Sequence, residues 1–181
     1  MLPPLAPFAT ARLLLRPLQL ADAPGMYALD SDPAVHRYLG GVGGTMVSTL
    51  AESEATIRYI QAQYAAVGIG RWAVIEQASS AFVGWAGLKL VAGPINGQRD
   101  FFDLGYRLLP PYWGHGYATE AAQAWLQVGF EQLRLPRICA FADSANAASC
   151  RVLGKIGLQA GAGFVEGGTP CRWFEATAPT I

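Results

Sequence analysis

Two glycines, Gly114 and Gly116, stand one residue apart between a short apolar stretch and the start of an amphipathic segment. Glycine adopts the left-handed backbone of a tight turn, and it has no Cβ to keep a ligand away from the main chain. A helix that begins just after this turn, near Tyr117, would point several N–H groups and its positive end into one space. The pattern predicts a phosphate cradle that could hold a pyrophosphate.

A second polar pair follows further along the chain. Asn146 and Ser149 are three residues apart, so on a helix their side chains would lie on one face. An amide and a hydroxyl there could hydrogen-bond to an extended ligand and hold a proton beside it. Taken alone, Asn146 is better interpreted as a helix cap and Ser149 as a small polar residue in the packing. Together with the glycine turn, they favour a binding site.

The composition excludes several classes of protein. The 181 residues suffice for one well-packed domain. The chain carries 13 basic and 13 acidic residues, so its net charge gives no sign of a nucleic-acid or anionic-membrane partner. No apolar run approaches the ~20 residues that span a bilayer, and the N-terminus does not look like a signal peptide. We therefore expect a cytoplasmic location.

The cysteines and histidines do not suggest a metal site. The chain has three widely spaced cysteines, two histidines and no Cys-x-x-Cys pair, so neither zinc nor a disulfide framework is expected. Cys150 follows Ser149 directly and could be a nucleophile, but the sequence places no histidine or acid to activate it. We interpret Cys150 as part of the core.

Hydrophobic periodicity predicts the elements that must position these residues. In chain order they are a strand over 11–17, a helix over 22–29, a helical turn at 32–33, a helix over about 48–65, three antiparallel strands over 71–76, 82–91 and 101–108, the glycine turn with its helix, a strand over 138–142, a helix over 146–156 and a final hairpin to about residue 176. The helix after the turn should lay a face of mostly small residues on the sheet, formed by Ala118, Ala122, Trp125 and Gly129. This order predicts an α+β fold.

This order and these motifs resemble the GCN5-related N-acetyltransferase (GNAT) superfamily, most closely its RimJ/RimL-like branch of ribosomal-protein N-terminal acetyltransferases. The stretches that carry the resemblance are 10–17, 31–33, 37–40, 105–106, 113–121, Asn146-x-x-Ser149 and Lys155-x-Gly157. The resemblance implies one N-acetyltransferase domain over 1–181, with a structured core over about 8–177. It also implies three α/β/α layers and a mixed, mostly antiparallel sheet that is splayed at the cofactor site.

The resemblance implies that the cofactor is acetyl-coenzyme A. The family's pyrophosphate loop, of form Gln/Arg-x-x-Gly-x-Gly/Ala, falls on Trp113, Gly114, His115, Gly116, Tyr117 and Ala118. Their backbone N–H groups would bind the coenzyme A pyrophosphate, and Thr119 could add a hydroxyl. His115 stands where this branch usually has lysine or arginine, which removes one fixed positive charge near the phosphates.

The resemblance also assigns roles along the pantetheine arm. The cofactor of the family lies in the splay after the third antiparallel strand, where the backbone of Leu108 would pair with the pantetheine. An N–H there would act as an oxyanion donor. Asn146 matches the asparagine that bonds the pantetheine arm, and Ser149 matches the position beside the sulfur.

The implied reaction is attack of an amine on the acetyl thioester, formation of a tetrahedral oxyanion, and departure of the coenzyme A thiolate. Ser149 is the candidate catalytic residue that gives a proton to the sulfur, a role for which other members of the superfamily use tyrosine. The group that takes the proton from the amine stays open. Water could suffice, and the candidate side chains are Asp103, Glu166 and His36.

Two other functions and the identity of the acceptor also stay open. Gly114-x-Gly116-x-x-Thr119 imitates a dinucleotide fingerprint, with Asp143 as a possible ribose ligand. A protein of this fold could also bind an acyl-coenzyme A without turnover. The acceptor could be a protein N-terminus or a small-molecule amine, and a homodimer is possible. The tryptophans are interpreted mainly as packing residues, although Trp85 or Trp173 could line an acceptor pocket.

Overall fold

A mixed sheet forms the centre of the computed structural model, which describes residues 2–3, 5–40, 44 and 46–179. Its strands are β1 (Phe8–Ala9), β2 (Leu13–Pro17), β3 (Arg71–Glu76), β4 (Phe82–Val91), β5 (Phe101–Leu108), β6 (Arg137–Asp143), β7 (Gln159–Glu166) and β8 (Thr169–Thr177). They lie in the order β1-β2-β3-β4-β5-β6-β8-β7. Among these strands β5 and β6 are parallel and the other neighbours are antiparallel. The predicted α+β class is confirmed.

Helices cover both faces of this sheet. They are α1 (Ala23–Asp30), α2 (Pro33–His36), α3 (Leu50–Val67), α4 (Tyr117–Glu131) and α5 (Ala147–Lys155), with short 3-10 turns over Leu20–Asp22 and Pro110–Tyr112. Leu29 of α1 and Ile57 of α3 are buried in one apolar cluster, on one face of the sheet. Trp125 of α4 and Leu153 of α5 are buried in a second cluster on the opposite face. The layers are therefore α/β/α.

Helix α4 packs closely on the sheet through its small residues. Ala122 and Trp125 are fully buried, and a Cβ on Gly129 would lie 2.4 Å from Cδ1 of Ile138. Gly116, with φ +81°, is the residue that precedes the first turn of α4. The predicted contact face is confirmed for these positions, whereas Ala118 is only half-buried.

Strands β5 and β6 meet at one point and then diverge. Asp103 and Cys139 are their single registered pair in the described chain, whereas β4 and β5 pair continuously as far as Leu108. The amide of Leu109 donates to the carbonyl of Val83 in β4 at 2.9 Å. Because backbone groups alternate in direction along a strand, the N–H of Leu108 points the other way, into the gap beside β6.

Some predicted boundaries are wrong for local reasons. Residues 11–12 of the predicted strand form the turn between β1 and β2, since the amide of Thr10 donates to the carbonyl of Leu13 at 2.8 Å. The long helix spans 50–67 instead of 48–65, because the Thr49 side chain caps its first turn and Gly68 ends it at φ +93°.

The described strands do not form the doubly wound parallel sheet that a dinucleotide-binding module of this type requires.

Candidate functional site

The glycine turn has the backbone that the sequence predicts. Gly114 and Gly116 adopt left-handed φ values of +79° and +81°, a region that favours glycine. A Cβ placed on Gly114 would meet no atom within 4 Å, so its surface is open. Ala118 and Thr119 follow in the first turn of α4 and are half-buried. The loop thus presents exposed backbone beside a helix N-terminus, an arrangement that suits an anion.

Arg12 ties this loop to the beginning of β2. Its Nε and Nη2 atoms each lie 2.7 Å from Oε2 of Glu120, and its Nη1 donates to the carbonyl of His115 at 2.9 Å. The guanidinium lies over the ring of Tyr117, 4.5 Å from the ring centre. Sequence reasoning used Arg12 only for the family resemblance. The structure shows that it cross-links the loop to β2 through Glu120 and the carbonyl of His115.

Glu120 is the anchor for this arrangement. Besides Arg12, it accepts a hydrogen bond from the hydroxyl of Thr10 at 2.6 Å and one from the backbone N–H of Arg12 at 2.8 Å. Burial of the Glu120 carboxyl acts to raise its pKa, but these hydrogen bonds outweigh burial and lower it. Glu120 is therefore held as a carboxylate in the first turn of α4, where the helix dipole also favours it.

Trp113 connects the loop to the end of β5. Its indole N–H donates to the carbonyl of Leu108 at 2.7 Å, and its side chain is 47% exposed. The interpretation of Trp113 as a packing residue is wrong for this reason. The Leu108 carbonyl is engaged by the loop, while the Leu108 N–H faces the gap between β5 and β6.

Asn146 and Ser149 lie together at the start of α5. Oδ1 of Asn146 accepts the backbone N–H of Ser149 at 3.0 Å, so Asn146 does cap this helix. The Ser149 hydroxyl is 3.0 Å from the hydroxyl of Tyr106, which also contacts the Ser149 carbonyl at 3.1 Å. Burial raises the pKa of Tyr106, so the phenol stays protonated at neutral pH. Sequence reasoning did not assign Tyr106 a role.

A cavity of about 410 Å³ begins at this pair and extends under α1 and α3. Its lining includes Asn146, Ser149 and Tyr106 together with the aromatic residues Tyr38, Tyr59, Trp85 and Phe141. Of the two tryptophans that could line an acceptor pocket, Trp85 and Trp173, Trp85 lines this cavity. Trp173, on β8, is buried instead among three phenylalanine rings.

The candidate bases are not equally placed. Asp103 lines the cavity. Glu166, on β7, and His36, on α2, are not among the residues that line it. The carboxylate of Asp103 accepts a short hydrogen bond from Arg71, and Asp103 is buried. Asp103 is therefore already engaged by Arg71 on the cavity floor.

Cys150 lacks the surroundings of a reactive thiol. Burial raises its pKa, and its sulfur lies 3.9 Å from the carbonyl of Asp143. A raised pKa lowers the fraction of thiolate, which is the nucleophilic form of cysteine.

Within the part of the chain that the structure describes, no cluster of three or more His, Cys, Asp or Glu residues could hold a metal. None of the described helices has both the length and the hydrophobicity that crossing a membrane requires.

Known proteins share this sequence pattern. A family model described as "Acetyltransferase (GNAT) domain" matches residues 12–159. The chain is 31% identical over 155 residues to "Uncharacterized N-acetyltransferase YoaA" of Bacillus subtilis (strain 168), covering 83% of this chain and 81% of that protein. It is 30% identical over 155 residues to "FsC-acetyl coenzyme A-N(2)-transacetylase" of Aspergillus fumigatus, covering 82% of this chain and 63% of that protein.

A solved structure shares the fold. RimL, a ribosomal L7/L12 α-N-protein acetyltransferase in complex with coenzyme A, superposes with a TM-score of 0.77 at 15% sequence identity. The match covers 93% of this chain and 96% of that protein. At this identity the likeness concerns the fold and not the acceptor.

Proposed function

The chain belongs to the acetyltransferase (GNAT) family, and from this we propose that it acetylates a primary amine, of a small molecule or a protein N-terminus, by direct attack on the thioester. The family match and the relatives' names confirm the expected enzyme class, an acetyl-coenzyme A-dependent N-acetyltransferase. They also favour turnover over binding alone. Membership of the RimJ/RimL-like branch, a cytoplasmic location and a homodimer stay predictions.

The residues present fit a coenzyme A molecule at two places. The open backbone of 113–119 would bind its pyrophosphate, and Arg12, which is paired with Glu120, holds this loop against the start of β2. The gap between β5 and β6 would receive its pantetheine arm, bordered by the Leu108 N–H on one side and by Asn146 on the other. When bound, acetyl-coenzyme A supplies an activated acetyl group as a thioester.

Two groups of the chain then act on the reacting atoms. The Leu108 N–H is directed into the gap and would donate to the carbonyl oxygen of the acetyl group, stabilising negative charge there. The Ser149 hydroxyl would give a proton to the sulfur as the Tyr106 hydroxyl, 3.0 Å away, passes its own proton to Ser149. Tyr106 then regains a proton from water, so that the proton delivered to the thiolate is balanced by the one that the amine releases to water. The single observation that carries this proposal is the Tyr106–Ser149 pair at the mouth of a cavity that opens beside the gap.

The proton of the attacking amine goes to water in this proposal. Asp103 is engaged by Arg71, and no other carboxylate that lines the described cavity lies free of a hydrogen-bonded partner. An amine that enters as its minor neutral form needs no protein base before it attacks, and its nitrogen then loses one proton to water as the amide forms. Much of the rate can come from positioning.

Calorimetric titration with acetyl-coenzyme A, with NADH as the control ligand, tests the cofactor site. We expect acetyl-coenzyme A to bind and NADH not to bind. Thiol release on adding amines then tests turnover. Binding of acetyl-coenzyme A without thiol release for any amine would leave an acyl-coenzyme A-binding protein, and selective binding of NADH would refute the proposal.

A further inference from the structure

Charged side chains form a row on the floor of the cavity, on the sheet face that α1 and α3 cover. Trp85 and Arg107 are cross-strand partners in β4 and β5, and so are Lys89 and Asp103. Residues directly opposite in an antiparallel pair point to the same face. All four line the cavity, together with Arg71 of β3. The floor therefore carries three cationic side chains.

The carboxylates that line the described cavity already have partners. Asp103 accepts a hydrogen bond from Arg71, and Asp30 accepts one from Arg107 at 2.5 Å. Asp143 accepts a backbone amide at 2.8 Å in the turn before α5. Two of the three cations and all three carboxylates are thus accounted for by contacts within the protein.

Lys89 is the cation that remains. It forms no hydrogen bond or ion pair with any residue that the structure describes, and it is half-buried. Burial and the nearby charge of Arg71 lower its pKa, and the charge of Asp103 across the strand pair, which acts to raise the pKa, does not offset them. An ammonium group withdrawn from water without a partner is unfavourable, so its position in a cavity wall calls for an anion. The only other lysine of the chain, Lys155, is exposed on α5.

We propose that Lys89 binds a carboxylate of the acceptor, and that the acceptors of this enzyme are small amines that also carry a carboxylate, such as amino acids. This inference rests on the proposed function, since it assigns the cavity to the acceptor. The carboxylate would lie at Lys89 and the amine toward Ser149. Trp85 and Phe141, which also line the cavity, would contact the apolar part between them.

Matched amines with and without a carboxylate test this assignment. L-Phenylalanine is compared with phenethylamine, and L-leucine with 3-methylbutylamine, in steady-state assays of thiol release. We expect the amino acid of each pair to have the lower KM in the parent enzyme. Lys89→Met should raise that KM about 10- to 100-fold, as loss of a charge-assisted hydrogen bond does, and leave the KM of the simple amine within about twofold.

Two variants serve as controls for the charge. Lys89→Arg keeps a cation and should retain most of the preference for the amino acid. Lys155→Met removes the other lysine, which is exposed, and should change neither KM. A general loss of KM selectivity in Lys155→Met would show that the preference does not depend on Lys89.

A binding measurement gives a readout that does not depend on turnover. N-acetyl-L-phenylalanine, the expected product, is titrated calorimetrically into the enzyme saturated with coenzyme A. We expect binding to the parent and to Lys89→Arg, and at least tenfold weaker binding to Lys89→Met. Equal affinity in the parent and Lys89→Met would overturn the proposal.

Other outcomes separate this inference from the proposed function. Equal KM values for both members of each pair would overturn the role of Lys89 while leaving an N-acetyltransferase. Mass spectrometry that finds Lys89 acetylated after incubation with acetyl-coenzyme A would make it an acetyl acceptor instead and also overturn its role. If no amine releases thiol, the proposed function fails, and the product titration still decides whether Lys89 binds a carboxylate.

Discussion

Replacing Arg12 by alanine should weaken the binding of acetyl-coenzyme A by loosening the loop that would hold its pyrophosphate. The substitution removes two contacts of 2.7 Å to Glu120 and one hydrogen bond of 2.9 Å to the carbonyl of His115. Glu120 keeps its hydrogen bonds to the Thr10 hydroxyl and to the backbone of residue 12. The fold should therefore persist while the loop loses its cross-link to β2.

The size of the effect follows from the exposure of these groups. The Arg12 side chain is 47% exposed, so solvent limits its ion pair with Glu120 to about 0.5 to 1 kcal/mol. The hydrogen bond to the His115 carbonyl contributes about 1 kcal/mol. If this free energy orders the loop for binding, its loss corresponds to about a 10- to 30-fold increase in Kd.

Calorimetric titration of acetyl-coenzyme A into the parent, Arg12→Ala and Arg12→Lys measures this effect. Lysine keeps the charge but lacks the planar fork, so we expect Arg12→Lys to recover only part of the affinity. Arg58→Ala is a matched control, because Arg58 is also exposed and pairs at 3.1 Å with Glu54 on α3, away from the loop. Unchanged affinity in Arg12→Ala, or an equal loss in Arg58→Ala, would refute the reasoning.

Three further predictions concern the same site. Gly116→Glu should abolish acetyl-coenzyme A binding in calorimetry, because it places a non-glycine residue at φ +81° and adds negative charge beside the phosphates; retained affinity would remove this loop from the site. Ser149→Ala and Tyr106→Phe should each lower kcat about 10- to 100-fold while acetyl-coenzyme A affinity changes little, and an unchanged kcat would exclude that hydroxyl as a proton source. Lys89→Met should raise the Tm at pH 7, and the gain should shrink toward pH 10.5. Burial lowers the pKa of Lys89 from 10.5, so the folded state bears an unfavourable charge at pH 7 that it loses before the unfolded state does. Thermal denaturation at both pH values tests this sign, and a pH-independent difference would contradict it.

The sequence predicts the elements whose signal is local. The strand over 101–108 is found at the predicted boundaries, because its ends are set by neighbouring turn residues. Gly116 before α4 and Asn146 before α5 are also found where expected, since a left-handed turn and a side-chain cap depend on a few adjacent residues. The two-residue strand β1 was missed, because a pattern that short carries no periodicity.

Contacts between distant residues could not be predicted in the same way. Tyr106 meets Ser149 across 43 residues of sequence, and Arg12 meets Glu120 across 108. Each contact depends on the packing of whole elements, which one sequence does not reveal residue by residue. The surroundings of Lys89 are another example. Strand alternation predicts the sheet face on which Lys89 lies, but it does not predict that none of the described residues forms a hydrogen bond or ion pair with it.

The single registered pair between β5 and β6 has a mechanical consequence. It divides the sheet into two leaves, β1 to β5 and β6 to β8, joined edge to edge only at Asp103 and Cys139 along the described strands. Elsewhere the leaves are held by side-chain packing and by single side-chain hydrogen bonds such as the one between Tyr106 and Ser149, and not by a backbone ladder. A pantetheine arm lying in the gap would act as a ninth strand that latches the leaves together. The rigidity of the acceptor cavity, whose wall draws residues from both leaves, would then rise and fall with each cycle of cofactor binding and release.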